Sequence, residues 1–195
     1  MSYCDFSGLE ADDARLIEYI RQHVIVPPST EPYNLYYGVN HDPSDGQSKV
    51  VDELLNHKRN GFYVESGGYT GEVRNGFYVE SGGYTGEVVV FKNEKYAGRI
   101  YNHQDLSYPG DSLDLSSAKC FPLYSFLLAL GTTTVDYFSL DVESSEYKVL
   151  QSIPWDKLDI KTLSVEYNLI PEGKPALIDL MKSKEILCEL YRETM

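Results

Sequence analysis

Apolar residues recur near the start of the chain at the spacing of amphipathic helices. Residues 11–25 carry apolar side chains three and four positions apart, which predicts a helix that ends before Pro27 and Pro28. Residues 48–57 show the same pattern over a shorter length and predict a second helix. Residues 32–47 are rich in Pro, Asn, Asp, Gly and Ser, which is typical of a loop between the two helices.

The last third of the chain alternates between apolar runs and helical patterns. Residues 135–142 (VDYFSLDV) are nearly continuously apolar, as expected for a strand inside a parallel sheet. Further strands are predicted over residues 163–167 and 186–191, and helices over residues 122–130 (ended by Gly131), 145–153 (with Ser144 or Ser145 as N-cap) and 175–183. This order predicts right-handed crossovers and a three-layer α/β sandwich.

The middle of the chain contains a perfect tandem repeat. Residues 59–73, RNGFYVESGGYTGEV, recur without change as residues 74–88. Each copy predicts a short strand that runs into a glycine-rich turn, which is how a doubly wound sheet begins a nucleotide-type site. Because such a sheet has one place for this strand, we expect one copy to be central and the other to form an edge strand or a loop. Residues 88–91 predict another strand, and residues 93–119 predict irregular structure.

The length, charge and composition of the chain limit the classes of protein to which it can belong. The chain has 195 residues, which is enough for one domain, and its formal net charge is −13. Such an acidic balance argues against nucleic-acid partners and anionic membrane surfaces. Neither a signal peptide nor an apolar run long enough to cross a membrane is present, so we expect a soluble, cytoplasmic chain. Cys4, Cys120 and Cys188 are far apart and predict no zinc site.

Acidic residues follow three of the predicted strands at their carboxyl ends, where ligands bind in sheets of this kind. These residues are Glu65 or its repeat Glu80, then Asp141 with Glu143 and Glu146 beyond it, and finally Glu166. If the three strands are neighbours, their acids line one cleft, and the glycines let backbone N–H groups approach a ligand closely.

Each of these signals also has a structural interpretation. Glycine-rich turns connect ordinary hairpins, and the acids near Asp141 could simply favour the N-terminus of the following helix. A carboxylate on a buried strand, such as Glu166, needs a hydrogen-bond partner whether or not it binds a ligand. The residues alone leave both interpretations open.

Three long segments, in the same order, closely resemble the arthropod Star-like proteins, which carry an FkbM-type methyltransferase domain. The segments are DARLIEYIRQHVIVPPSTEPYNL, DPSDGQSKVVDELLNHKRNGFYVESGGYTGE and CFPLYSFLLALGTTTVDYFSLDVESSEYKVLQSIPWDKLDIKTLSVEYN. The resemblance implies a class I S-adenosylmethionine-methyltransferase fold, which is a three-layer, Rossmann-like α/β fold, here with an incomplete sheet. It implies a single domain over residues 1–195, composed of a helical lead-in (1–58), the duplicated motif (59–88) and a C-terminal β-α-β-α-β part (120–191).

The resemblance also implies the residues of a site for S-adenosylmethionine. The family's glycine-rich first motif, VE-x-G-A-x-D-G-E, falls on both copies of the repeat and implies the cofactor-binding residues Glu65, Gly67, Gly68, Gly71, Glu80, Gly82, Gly83 and Gly86. The DVEG-x-E motif of the family matches residues 141–146, and its VE strand matches residues 165–166. The implied catalytic residues are Asp141, Glu143 and Glu166, and no metal is expected.

The chain departs from the family pattern in four ways. The first motif is doubled, and Thr70 and Thr85 stand where the family has Asp. Ser144 replaces a glycine at a place where a side chain crowds a close turn. The segment that would supply the next strand, with an acid for the ribose hydroxyls, is missing. These departures predict a damaged cofactor site rather than two sites.

Three functions are consistent with this picture. The first is a Star-like protein whose methyltransferase-like domain is a degenerate binding module, with an implied role in moving secretory cargo proteins from the endoplasmic reticulum through the Golgi and endosomes. The second is an active S-adenosylmethionine-dependent O-methyltransferase with a small-molecule methyl acceptor. The third is a shortened remnant without function.

Overall fold

The computed structural model describes residues 6–27, 30, 46–67, 88–93, 98–100, 115–142 and 144–186. The helices are α1 (Ala14–His23), α2 (Gln47–Leu54), α3 (Leu123–Leu130), α4 (Glu146–Ser152) and α5 (Gly173–Ser183). The strands are β1 (Tyr63–Ser66), β2 (Val88–Asn93), β3 (Gly98–Ile100), β4 (Leu115–Lys119), β5 (Thr134–Leu140) and β6 (Asp159–Val165). The chain is therefore an α/β protein, as its sequence pattern predicts.

A three-stranded parallel sheet forms the centre of the described structure, in the order β1-β5-β6. Glu65 of β1 pairs with Ser139 of β5, which pairs in turn with Ser164 of β6. Parallel strands joined through helices are compatible with a Rossmann-like fold. The apolar run in residues 135–142 correctly predicted β5, which is the middle strand of this sheet.

The first copy of the repeat supplies β1, whose strand residues are Tyr63–Ser66. We expected one copy to be central, but β1 lies at the end of the described strand order and β5 takes the central place. In the second copy, all residues before Val88 lie outside the described residues. Of the final strand predicted over residues 186–191, only Ile186 is described, and it is not in a strand.

A second, antiparallel sheet follows the repeat, in the order β3-β2-β4. Val88 pairs with Lys119, and Phe91 pairs with Ile100. The expected strand over residues 88–91 is confirmed, but the expected irregular structure over residues 93–119 is wrong where β3 and β4 lie. These two strands have the sequences GRI and LSSAK, which are poor in β-branched and aromatic residues. Backbone pairing with β2, rather than a side-chain pattern, makes them strands.

The ends of the helices follow local capping chemistry. Asp13 is the N-cap of α1, and its carboxylate accepts a hydrogen bond of 2.9 Å from the backbone N–H of Arg15. Gly131 ends α3 in the left-handed conformation, with φ of 77°. Ser145 occupies the N-cap position of α4 but makes no side-chain capping hydrogen bond. None of the described helices is long and apolar enough to span a bilayer.

One apolar cluster joins α1, α3, α4 and α5 to the parallel sheet. Fully buried members include Leu16 and Ile20 of α1, Val64 of β1, and Phe138 and Leu140 of β5. The opposite face of the sheet is only half-buried and carries Tyr63, Glu65, Tyr137 and Ser139. The rings of Tyr63 and Tyr137 stack there at 5.2 Å between centroids. Polar groups can therefore approach the sheet from this second face.

Asp136 anchors the start of β1 to β5. Its backbone N–H donates to the carbonyl oxygen of Phe62 at 2.9 Å, while its carboxylate accepts from the backbone N–H of Phe62 at 2.8 Å. The ammonium group of Lys58 binds the other carboxylate oxygen and lowers the pKa of Asp136, and the Phe62 N–H lowers it further. A Cβ on Gly61 would lie 2.9 Å from this carboxylate, so the loop passes very close. No pattern in the sequence predicted a structural role for this buried acid.

We expect Asp136→Asn to destabilise the protein at neutral pH by about 1.5 kcal/mol, the scale of a hydrogen bond to a charged group, which is roughly 3–6 °C in Tm for this length. The folded-state pKa lies below the ordinary value of 3.8, so the charged carboxylate stabilises the fold above that value. This contribution disappears as the pH falls through the folded-state pKa. Thermal unfolding between pH 7 and pH 2 should therefore show the two proteins converging in acid.

The matched control is Asp179→Asn, since Asp179 is an exposed carboxylate on α5. It should unfold like the unsubstituted protein at every pH. A difference between Asp136→Asn and the unsubstituted protein that stays constant down to pH 2 would contradict the proposed charge interaction.

Candidate functional site

The three parallel strands end side by side. Ser66 of β1 pairs with Leu140 of β5, and Leu140 pairs with Val165 of β6. The ladder continues one step further, because Asp141 donates its N–H to the carbonyl oxygen of Ser66 and Glu166 donates to that of Leu140, each at 2.9 Å. The chain therefore leaves all three strands at the same level, where ligands of parallel α/β sheets bind.

Four carboxylates gather at this level, and we call them the acidic edge: Glu65, Asp141, Glu146 and Glu166. One carboxylate oxygen from each of Asp141, Glu146 and Glu166 lies within 4.8 Å of the others. Glu65 is close enough for the charge on Asp141 to raise its pKa. Glu65, Asp141 and Glu166 therefore lie at the ends of three neighbouring strands, which is the condition under which the sequence predicted a shared cleft.

Glu65 projects from the half-buried face of β1. Its Oε1 accepts a hydrogen bond from the hydroxyl of Ser139 on the neighbouring strand, at 3.1 Å. Burial raises the pKa of Glu65, the Ser139 hydroxyl partly opposes this effect, and the charge on Asp141 adds to it. Residue 65 therefore carries a carboxylate that is positioned by its neighbouring strand and is easier to protonate than a free glutamate.

Asp141 lies at the open rim of the acidic edge. The residue as a whole is exposed, yet the surrounding protein partly desolvates its carboxyl group and so raises its pKa. The ion pairs between described residues do not include Glu65, Asp141 or Glu146. Within the described part of the chain, no cationic side chain therefore neutralises the carboxylates of these three residues.

Glu146 closes the inner end of the site. It is the first residue of α4 and is 0% exposed. Its Oε1 accepts a hydrogen bond of 2.8 Å from the backbone N–H of Val142, whereas its buried Oε2 has no hydrogen-bond partner of normal geometry among the described residues. Burial raises the pKa of Glu146 more than the nearby backbone N–H groups lower it. A buried, incompletely satisfied carboxylate is costly for the fold.

The sequence analysis placed Glu146 among the acids that follow β5, but it predicted no role for this residue in binding or catalysis. Helical spacing contained the missing signal: Glu146 lies three and four positions before Val149 and Leu150, which face the core. A carboxylate on the inward face of a helix has to be buried, and its location next to a strand end brings it into the site.

Gly67 allows the first strand to turn at the site. Its φ is 109°, in the region that favours glycine. A Cβ at this position would overlap the carbonyl oxygen of Asp141, so any other residue would push β1 and the β5–α4 turn apart. The other expected site residues lie outside the described residues: Glu143, Gly68, Gly71, Glu80, Gly82, Gly83 and Gly86.

Ser144 stands in the turn between β5 and α4 with φ of 88°. The family motif has a glycine at this position, and the sequence predicted crowding by the side chain. The positive φ supplies the physical reason, because a residue with a Cβ is strained there. This strain falls within the turn that carries Asp141 and Glu146.

Comparison with protein-family models, with curated proteins and with solved structures finds no match to this chain. The function of the chain is therefore inferred from the geometry and charge of the acidic edge, together with the resemblance of the sequence segments.

The perfect repeat offers a matched pair of substitutions at Gly67 and Gly82. We expect Gly67→Ala to destabilise the protein by about 3 kcal/mol, because the new Cβ meets a carbonyl oxygen and φ is positive. Gly82→Ala changes the same residue within an identical local sequence and should cost much less, since one copy already fills the place beside β5. Chemical denaturation of both variants measures the difference. Equal losses would contradict the assignment of β1 to the first copy alone.

Ser144 and Ser145 form a second matched pair. Ser144→Gly should stabilise the protein by about 1 kcal/mol, because it removes a Cβ from a residue with positive φ. Ser145→Gly, at φ of −105°, relieves no strain and should destabilise slightly through the entropy of the unfolded chain. Thermal unfolding of the two variants at neutral pH tests the sign of each effect, and a loss of stability in Ser144→Gly would refute the strain.

Proposed function

We propose that this chain is a methyltransferase-like binding module that binds S-adenosylmethionine, or its product S-adenosylhomocysteine, at the acidic edge. The observation that supports this proposal most directly is the convergence of Glu65, Asp141 and Glu166 at the carboxyl ends of three adjacent parallel strands. Ligands of parallel α/β sheets bind at this edge. The family resemblance supplies the identity of the ligand.

The chemistry of the ligand suits the charge of the site. S-adenosylmethionine carries a sulfonium cation, an ammonium group and ribose hydroxyls, all of which are stabilised by carboxylate acceptors. The Gly67 turn brings the backbone of β1 close to that of Asp141. Because Glu65, Asp141 and Glu146 lack ion-pair partners among the described residues, a cationic ligand would relieve their mutual repulsion.

We infer a binding role rather than turnover because the segment after the repeat departs from the expected sheet. Its described strands β2, β3 and β4 pair antiparallel with one another, so none of them extends the described parallel sheet with a ribose-binding acid. The Star-like resemblance then supports a role in transport of secretory cargo from the endoplasmic reticulum through the Golgi and endosomes. In cells that lack the protein, we expect a cargo reporter to be retained in the endoplasmic reticulum.

A second candidate function is O-methyl transfer. The raised pKa values of Glu65 and Asp141 favour it, since a carboxyl group that titrates closer to neutral pH is better suited to general acid–base catalysis. Incubation of the protein with methyl-labelled S-adenosylmethionine and a panel of hydroxyl-bearing acceptors distinguishes the two functions. Labelled product would establish catalysis, and ligand binding without product would support the binding module.

Both functions require the protein to bind the adenosyl ligand, and calorimetry with S-adenosylhomocysteine tests this binding. We expect Glu65→Gln and Asp141→Asn each to weaken binding about tenfold, which is about 1.4 kcal/mol, because each removes a charged acceptor. Glu80→Gln makes the same change in the second copy of the repeat and should leave the affinity within about twofold. No heat at high protein concentration, in a sample that unfolds cooperatively, would refute the proposal. A sample without a cooperative transition would instead support a non-functional remnant.

A further inference from the structure

We propose that Asp141, Glu146 and Glu166 form a binding site for a divalent metal cation that prefers oxygen ligands, with calcium or manganese as the best fit. The site spans the acidic edge from the buried Glu146 to the exposed Asp141, at the end of β5, the start of α4 and the end of β6. Neither the sequence motifs nor the proposed adenosyl ligand requires a metal, so this inference goes beyond the proposed function.

The distances suit such a cation. The three carboxylates each offer one oxygen, and every pair of these oxygens lies within 4.8 Å. Calcium holds oxygen ligands at about 2.3–2.6 Å, so two ligands on opposite sides of it are roughly 4.6–5.2 Å apart. Magnesium needs shorter bonds of about 2.0–2.1 Å and a nearly ideal octahedron, so it tolerates less variation in the positions of the three carboxylates than calcium does.

Glu146 provides a second and independent reason for a cation. Its side chain is 0% exposed, and its Oε2 is buried without a hydrogen-bond partner of normal geometry among the described residues. Buried carboxylates are normally paired with a cation, hydrogen-bonded at both oxygens or bound to a metal. The Val142 N–H satisfies Oε1 and fixes the direction of the carboxylate, which leaves Oε2 available as a ligand.

The three carboxylates differ in their exposure to solvent, and this arrangement also suits a metal cation. Glu146 is buried and Glu166 is partly buried, whereas Asp141 is exposed at the rim. A cation held by these three carboxylates would keep coordination positions open on the side of Asp141. Water or an oxygen atom of a bound ligand could occupy those positions, as is usual for calcium and manganese sites with few protein ligands.

A purely structural role for Glu146 makes the opposite prediction. If its only task is to accept the Val142 N–H and order the turn before α4, a glutamine at this position would serve equally well. Glutamine has nearly the same volume, its amide oxygen can still accept that hydrogen bond, and it carries no buried charge. Divalent cations would then leave the stability of the protein unchanged.

The experiment compares the full chain and Glu146→Gln after removal of metals with a chelator. Thermal unfolding is measured with no added metal and with calcium, manganese or magnesium at millimolar concentration. We expect calcium or manganese to raise the Tm of the unsubstituted protein by about 5 °C through preferential binding to the folded state. We expect no rise for Glu146→Gln, whose own Tm without metal should be at least that of the unsubstituted protein.

Manganese binding can also be measured directly, because the electron paramagnetic resonance signal of the free ion is lost when the ion binds to the protein. In that titration Asp141→Asn, which changes an exposed side chain and should fold normally, is expected to weaken manganese binding at least tenfold. Asp179→Asn removes one exposed acid from α5 and should bind manganese as the unsubstituted protein does. The proposal is overturned if millimolar calcium and manganese leave the Tm unchanged, or if Glu146→Gln and Asp141→Asn bind manganese normally.

The titrations contain no adenosyl ligand, so the two proposals can fail separately. Cation binding without any heat from S-adenosylhomocysteine would uphold the metal site and reject the proposed function. The opposite result is heat of binding from S-adenosylhomocysteine in metal-free protein, together with a Tm that metals leave unchanged. That result would uphold the proposed function and reject the metal site.

Discussion

The register between β1 and β5 is the constraint on which the site depends. The backbone of Phe62 exchanges hydrogen bonds with Asp136, through the Asp136 N–H on one side and the Asp136 carboxylate on the other. With this contact in place, the paired residues of the two strands run in step from Tyr63 to Ser66. A shift by one residue would turn Glu65 to the buried face and bring Val64 to the half-buried one. The acidic edge exists because this register ends the strands at one level.

At that level, the structure concentrates features that destabilise it. Glu146 is a buried carboxylate with one oxygen that has no hydrogen-bond partner of normal geometry among the described residues, and Ser144 has a positive φ that suits glycine. Asp141, Glu146 and Glu166 each place one carboxylate oxygen within 4.8 Å of the others. Strained backbone and buried charges of this kind persist where the surrounding fold holds the residues in place, and such residues cluster at binding sites. A ligand of positive charge would offset several of them together, which connects the proposed adenosyl and metal ligands to the same physical cause.

The sequence predicted the parts of the fold that side-chain periodicity encodes. The run VDYFSLDV predicted β5, and apolar spacing with Gly131 predicted α3 and its end. The same spacing could have shown that Glu146 faces inward. The sequence missed β3 and β4 because backbone pairing alone defines them, and it missed the role of Asp136 because one acid within an apolar strand has no periodic signal. Distances among carboxylates on three separate elements depend on register, which one sequence does not encode locally.

The repeat raises the question of how the fold distinguishes two identical segments. Gly61 and Phe62 have identical counterparts at residues 76 and 77, so the backbone contact with Asp136 does not by itself select a copy. Lys58 does, because it precedes only the first copy, whereas Val73 occupies the corresponding position before the second. The Lys58 ammonium group pairs with the carboxylate of Asp136, and a valine at that position would remove this ion pair. A single cation outside the repeated segment therefore favours the first copy as β1.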